Sequence, residues 1–299
     1  SGVSTPPQQY RPYGCNGRPK SAYVLERMVK VAAAQLKMGP AELRRKNYVP
    51  PEAMPFTTSL TFTYDCGEFE KGMDLALKMA DWDGFAKRKA ESKKNGKLRG
   101  LGMSNTIERA AAAGFEGAEI RFDRGGTVSI FSGSINQGQG HETTFKQVVA
   151  DKLGVHPNDI EYIQGDTDKV FFGEGTGGSR SATMSGSAFY QAGEKVIAKA
   201  KPIAAHNLKV DIADVNFNEG LFSSTKTNQT VTIQDVAQDS FNPAKLPKDM
   251  EAGLYATAVY KADTENLPTG VHIREVADGP ETGQTAGRKT KVVAEHGQR

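Results

Sequence analysis

Two glycine-rich segments hold the residue types best suited to chemistry in this chain. The first reads Asn136-Gln137-Gly138-Gln139-Gly140-His141-Glu142-Thr143-Thr144, the second Gly173-Glu174-Gly175-Thr176-Gly177-Gly178-Ser179-Arg180-Ser181. Each lies just ahead of a stretch with helical periodicity. A helix N-terminus offers unpaired N–H groups and a partial positive charge, and glycines let the backbone approach a ligand closely and form a concave nest of N–H groups. Thr176, Ser179 and Ser181 add hydroxyls, and Arg180 a permanent two-pronged cation. The chemistry this pattern supports is binding of a phosphate or another anion. Either segment alone reads better as a simple connection; two in one chain, both with hydroxyls and anion donors, point to a site. His141 is otherwise a neighbour of a helix cap, and Glu142 a first-turn carboxylate that suits the helix dipole.

Other chemistries find less support. Gly173 to Gly178 matches GxGxxG, but a dinucleotide fingerprint needs a strand running straight into the loop and an acidic residue about twenty positions on, at the end of a second strand. Here the expected strand ends near Gln164, and Glu194 lies inside an expected helix. A nicotinamide dehydrogenase is therefore a distant reading. No GxxxxGK[ST] or GxSxG motif occurs, and no Ser/His/Asp triad follows from spacing. The two cysteines, Cys15 and Cys66, form no CxxC and lie near no histidine, so neither a zinc site nor a disulfide framework is expected, and a reducing cytoplasm is. Lys+Arg 38 against Asp+Glu 35 gives a net charge of +3, which argues against a dedicated nucleic-acid binder. No apolar run approaches the ~18 residues of a membrane span. The N-terminal residues carry no secretory pattern, and Ser1 in place of Met is read as a processing point or boundary.

The elements that must position the two segments follow from periodicity. Leu25, Met28, Val29, Ala32 and Leu36 define one helix face, stopped at Gly39-Pro40; Phe69, Met73, Ala76, Leu77 and Ala80 define a second. The basic run Lys87 to Lys97 is the solvated face of a helical region. From Leu98 the period changes to two, and Ile120 and Phe122, the Gly125-Gly126 turn, then Val128 and Ile130 spell a hairpin. Phe145, Val148, Val149 and Leu153 mark a helix ended by Gly154. A short strand follows at 160–164, then a long helix from Ser185 to about Leu208 that Pro202 kinks or ends. Strands are expected at 215–222, 231–233, 255–260 and 271–276. The layout is α+β, with mixed sheets and hairpins packed against helices, in two lobes that meet near residue 210 (1–210 and 211–299).

The run NQGQGHETTF, followed by VVADKLGV, QGDTD and GTGGSRSA at these intervals, resembles the molybdenum-cofactor-binding subunit of the xanthine dehydrogenase, aldehyde oxidase and carbon monoxide dehydrogenase family. GRPKSAYVLERMV followed by ELRRKN resembles the segment after that family's active-site loop. The likeness runs from about Tyr13 to about Gly297. It implies oxidation of an aldehyde, N-heterocycle or similar small molecule with a water-derived oxygen, at molybdenum held by a molybdopterin, with no protein side chain on the metal. It implies two molybdopterin-binding lobes, and electrons leaving through iron–sulfur clusters and FAD on partner chains. By the same resemblance Gly138, Gln139 and Gly140 lie beside the molybdenum end of the pterin. His141 and Thr143 reach its diphosphate if the cofactor is the cytosine dinucleotide form. Thr176, Gly178, Ser179, Arg180 and Ser181 form the second wall of the channel.

The chain departs from the family at three places. The substrate-pocket loop commonly reads Tyr-Arg-Gly-Ala-Gly-Arg-Pro, and here Tyr13-Gly14-Cys15-Asn16-Gly17-Arg18-Pro19 stands instead, so the Arg is replaced by Gly14 unless Tyr10-Arg11 is its equivalent with an insertion. Cys15 falls near the copper-binding cysteine of the carbon monoxide enzyme; with the neighbouring Arg lost, it reads as a small residue in a tight loop. The family's first half and its Val-Gly-Glu motif with the catalytic glutamate have no counterpart, so no catalytic residue or metal ligand is assigned. A complementary molybdenum-subunit chain is expected as partner. The rival reading is a non-catalytic fragment or assembly module that keeps the fold without a complete active site.

Overall fold

The structure, a computed structural model, describes residues 17–59, 62–111 and 114–295. The helices in chain order are α1 (Arg18–Gln35), α2 (Pro40–Arg45), α3 (Phe69–Ala80), α4 (Phe85–Lys94), α5 (His141–Leu153), α6 (Ser181–Leu208) and α7 (Ile233–Asp239). The strands are β1 (Phe56–Thr57), β2 (Thr63–Tyr64), β3 (Leu98–Ile107), β4 (Glu116–Phe122), β5 (Val128–Ser132), β6 (Ile160–Gln164), β7 (Asn216–Asn218), β8 (Leu221–Ser223), β9 (Thr230–Thr232), β10 (Tyr255–Tyr260), β11 (Thr269–Gly279) and β12 (Gln284–Glu295). The chain parts into two compact units, 109–266 and 1–108 with 267–299.

In the 109–266 unit the hairpin expected around Gly125-Gly126 forms, with Ile120 opposite Ile130 and Phe122 opposite Val128. β5 then crosses through α5 to β6, which pairs with it in parallel, and β10 adds to the other edge of β4, giving the order β10-β4-β5-β6. Alternation sends Ala118, Ile120 and Phe122 of β4 into a core shared with Phe145, Val149 and Leu153 of α5 and with Ala188, Phe189, Ala192 and Val196 of α6. α5 ends at Gly154 in the left-handed conformation, as the sequence predicts. α6 starts at Ser181, earlier than expected, and continues through Pro202 to Leu208.

The second unit is built on β12-β11-β3, an antiparallel sheet. Met73, Ala76 and Ala80 of α3 are buried with Met103, Val271 and Ile273. The basic run lies mostly on α4, its lysines exposed, while Arg88 turns inward to the buried Glu275. α1 forms, but its expected core face is wrong: Leu25, Met28 and Leu36 are exposed, and Ala33 is the buried residue. The covered side carries Glu26, paired with Arg44 and accepting from the Asn105 N–H at 2.7 Å. Polar anchoring, invisible to an apolar periodicity, sets the orientation of this helix.

The fold class is α+β with mixed antiparallel and parallel pairing. The contacts do not divide the chain at residue 210. Ile203, Ala204 and Leu208 at the end of α6 share one core with Val215, Phe222, Ile233 and Val236, which keeps both sides of that position in the 109–266 unit. The single strand expected at 215–222 is the hairpin β7–β8, and α2, β1, β2, α7 and β12 are elements without an expected counterpart.

Candidate functional site

Both glycine-rich segments lie in the 109–266 unit and meet there. The first leaves the end of β5 and enters α5. Asn136 closes its turn: its Oδ1 accepts from the N–H groups of Gly138 and Gly140, each at 3.2 Å, and its own N–H donates to Gln164 Oε1 at 2.7 Å. Gln139 braces the same turn, with Oε1 accepting from the Gln137 N–H at 2.5 Å and Nε2 donating to the Ile135 carbonyl at 3.3 Å. Gly140, in the left-handed region at φ 82°, is the N-cap of α5. No atom lies within 4 Å of where a side chain would begin at Gly138 or Gly140, so both face open space.

The second segment crosses the stretch leading from β5 into the first, at Gly173 and Gly133. A Cβ on either would stand 2.4 Å from the Cα of the other, so the crossing requires two glycines. Thr176 Oγ1 donates to the Ile135 carbonyl at 2.8 Å and accepts from Ser181 Oγ at 3.2 Å, and the buried hydroxyls of Ser134 and Ser185 pair at 2.8 Å. Gly178 and Ser179 both have left-handed φ, and the Ser179 carbonyl accepts from the Ala111 N–H at 3.3 Å. α5 and α6 both begin without a side-chain cap, so their first-turn N–H groups are left to solvent or a ligand.

Of the residues singled out from the sequence, Gly138, Gln139, Thr143, Thr176, Gly178 and Ser179 are exposed on these loops and helix starts. His141 is buried at 5% exposure, its ring 5.1 Å from that of Phe145, and its Nδ1 has no partner. Burial holds its imidazole below the usual histidine range. Ser181 is buried beneath Thr176. Arg180, at the N-cap of α6, is also buried: Nη2 donates to the Phe115 carbonyl at 2.6 Å, and Nη1 lies 3.1 Å from Glu174 and 3.6 Å from Glu116. Its fork thus engages protein groups of β4 and the loop. Gly14, Cys15 and Asn16 lie outside the described residues.

Sequence reasoning passed over Tyr162 and Glu116, and named Asn136 within the first segment without its role. Tyr162 of β6 donates toward the Ser134 carbonyl and Gln164 at 3.2 Å, and burial pushes its phenol up to about 12. Asn136 organises the first turn. Glu116 is fully buried under the crossing, and the signal for it was present: it is the one charged residue on the β4 face that reads Glu116, Ala118, Ile120, Phe122.

A family model for the molybdopterin cofactor-binding domain matches residues 75–299, and the chain belongs to that family. It is 32% identical to the carbon monoxide dehydrogenase large chain of Hydrogenophaga pseudoflava, over 96% of this chain and 38% of that one. It is 30% identical to the 6-hydroxypseudooxynicotine dehydrogenase complex subunit gamma of Paenarthrobacter nicotinovorans, over 91% of this chain and 35% of that one. Among solved structures, reconstituted CO dehydrogenase from Oligotropha carboxidovorans superposes with a TM-score of 0.81 at 31% identity, covering 91% of this chain and 36% of that one. The chain therefore spans somewhat over a third of the length of the relatives it matches.

The donor set suits a phosphorylated pterin better than a bare ion. Among the described residues no three His, Cys, Asp or Glu side chains converge to hold a metal. What converges instead is an open glycine turn, two uncapped helix starts and exposed Thr and Ser hydroxyls, the groups that bind an anionic, hydrogen-bonding ligand. No helix among the described residues is long and apolar enough to cross a membrane.

Proposed function

We propose that this chain is a molybdopterin-binding module of a molybdenum hydroxylase and that it does not form a complete active site by itself. The observation that carries the reading is the meeting of the two glycine-rich loops at the uncapped starts of α5 and α6. Gly138, Gln139 and Gly140 would face the dithiolene end of the pterin. The N–H groups at the start of α5, with Thr143, would take its phosphate, or the diphosphate of a cytosine dinucleotide form. Thr176, Gly178, Ser179 and Ser181 would make the opposite wall, with Arg180 holding that wall from beneath. All of these residues fall within the 109–266 unit.

The bound cofactor supplies molybdenum redox chemistry, the oxidation of a small molecule with a water-derived oxygen. This chain's contribution is to bind and orient the pterin and to exclude water from one side of it. Burial lowers the His141 pKa and so disfavours a cation there, which leaves the diphosphate to the helix N–H groups. Names such as carbon monoxide dehydrogenase large chain and 6-hydroxypseudooxynicotine dehydrogenase complex subunit gamma, borne by relatives of which this chain spans somewhat over a third, support an oxidoreductase assembly of several chains, which we extend to complementary, iron–sulfur and flavin chains in the cytoplasm. They support a module that needs partners over a self-sufficient enzyme. A substrate pocket involving Gly14, Cys15 and Asn16 belongs to the same proposal.

The test is molybdopterin occupancy of the protein purified with its partners. Gln139→Ala and Ser179→Ala should each remove ~1–2 kcal/mol of hydrogen bonding, a roughly five- to thirty-fold weakening, with the fold intact. Unchanged occupancy in both variants would reduce the loops to connections.

A further inference from the structure

Glu116 opens β4 on the face that Ala118, Ile120 and Phe122 turn into the core, and it is 0% exposed. A carboxylate at a core position needs a reason, because an ionised group out of water is costly unless paired and hydrogen-bonded. Its Oε1 lies 2.8 Å from where a Cβ would begin on Gly133 and 2.7 Å from the same point on Gly173, so it fills the space those two glycines leave open. The N–H groups of Gly117 and Glu174 face it, yet neither oxygen completes a hydrogen bond, and its one ion pair is with Arg180 at 3.6 Å. Arg180 in turn grips the Phe115 carbonyl and Glu174, leaving its Nε without a partner.

We propose that Glu116 is a positioning residue for the two-loop site: its carboxylate seats beneath the Gly133–Gly173 crossing and anchors the Arg180 guanidinium, locking the second glycine-rich loop in register against the first. That this register serves a pterin rests on the function proposed above; the locking itself does not. Burial drives the Glu116 carboxyl above its ordinary range, and Arg180 offsets this only in part, so the anchor is held by geometry under electrostatic load. An apolar residue there would fill the core equally well and leave Arg180 with the exposed Glu174 as its counter-charge, and with none from beneath the crossing.

Tryptic cleavage after Arg180 reads its release directly, since that side chain is 7% exposed in the intact protein. In the 299-residue chain, E116Q should keep cooperative unfolding while cleavage after Arg180 becomes about ten-fold faster than in the parent, with cleavage after the exposed Lys169 unchanged. E116D, which keeps the charge, should recover most of the protection. Should E116Q fail to fold, R180Q approaches the same pair from the other side and should loosen the loop at the same position, read as faster cleavage by thermolysin within 173–180. In the partnered assembly E116Q should also lower molybdopterin occupancy, by about five-fold or more. Protection of Arg180 unchanged in E116Q, equal exposure in E116D and E116Q, or an R180Q loop as resistant as the parent's would each overturn the proposal. A parent assembly that never takes up molybdopterin would instead sink the cofactor reading, with the cleavage result still standing on its own.

Discussion

Glu275 of β11 is 2% exposed between two guanidinium groups, Arg88 donating from Nε and Nη2 and Arg99 from Nη1 at 2.5 Å. Burial would raise its pKa, but the hydrogen bonds from Arg88 and Arg99 outweigh that and hold the carboxyl below its ordinary range. A carboxyl with a lowered folded pKa stabilises the fold in full above its unfolded pKa and loses that contribution as pH falls through the folded value. Glu275→Ala should therefore cost roughly 1–3 kcal/mol near neutrality, because Arg99 loses its carboxylate partner and Arg88 keeps only the one from Asp81. The gap to the parent should close in acid; urea unfolding at neutral and acid pH checks this, and a pH-independent gap would contradict it. His141 has the complementary behaviour. Burial lowers its pKa in the folded form, so acidification through the ordinary histidine range favours the unfolded chain, which takes up the proton more readily. His141→Gln should flatten the fall of Tm with acid in that range. A variant whose profile follows the parent's would show the imidazole to be solvated.

Among the elements, the Gly133–Gly173 crossing ties β5, the first loop and the approach to α6 together. Gly133→Ala puts a methyl 2.4 Å from backbone and 2.8 Å from the Glu116 carboxylate, neither of which yields cheaply. The expected loss is on the order of 1–3 kcal/mol, as for other overpacked positions, and it should come with loosened loops while α5 and α6 persist in circular dichroism. Much of this framework was legible in the residues. α3, α5, the β4–β5 hairpin and β6 follow from period and turn chemistry because each buries an apolar face. The failures share a cause. α1 has its apolar spacing on the exposed side, and its covered side is fixed by Glu26 with Arg44 and Asn105, a long-range polar contact. β12 reads as charged, with Arg288, Lys289 and Lys291, and owes its strand to backbone pairing with β11. At the site, the glycine segments and their hydroxyls stood out by type. The inward turn of Arg180 did not, since it depends on Glu116, distant in sequence and hidden until the strand's faces are assigned.

For the whole molecule, the decisive facts are the share of its relatives that it spans and what α1 exposes. Tyr23 at 72%, Val24 at 60%, Leu25 at 62%, Met28 at 61% and Leu36 at 60% exposure put a run of large apolar side chains on one helix. Such a surface favours association. The chain on its own should self-associate or bind a complementary chain, and the paired change Leu25→Glu with Met28→Lys should shift sedimentation toward monomer without loss of helix; unchanged sedimentation would show the face to be inert. On the function proposed above, this chain supplies only part of the contacts to the cofactor. The most direct measurement is molybdenum and pterin content, determined side by side for the 299-residue chain alone and for the chain purified with its native neighbours. The account predicts near-stoichiometric molybdenum and pterin in the assembly and neither in the lone chain. An intact assembly devoid of both, or a lone monomer that is metal-loaded and active, would contradict it.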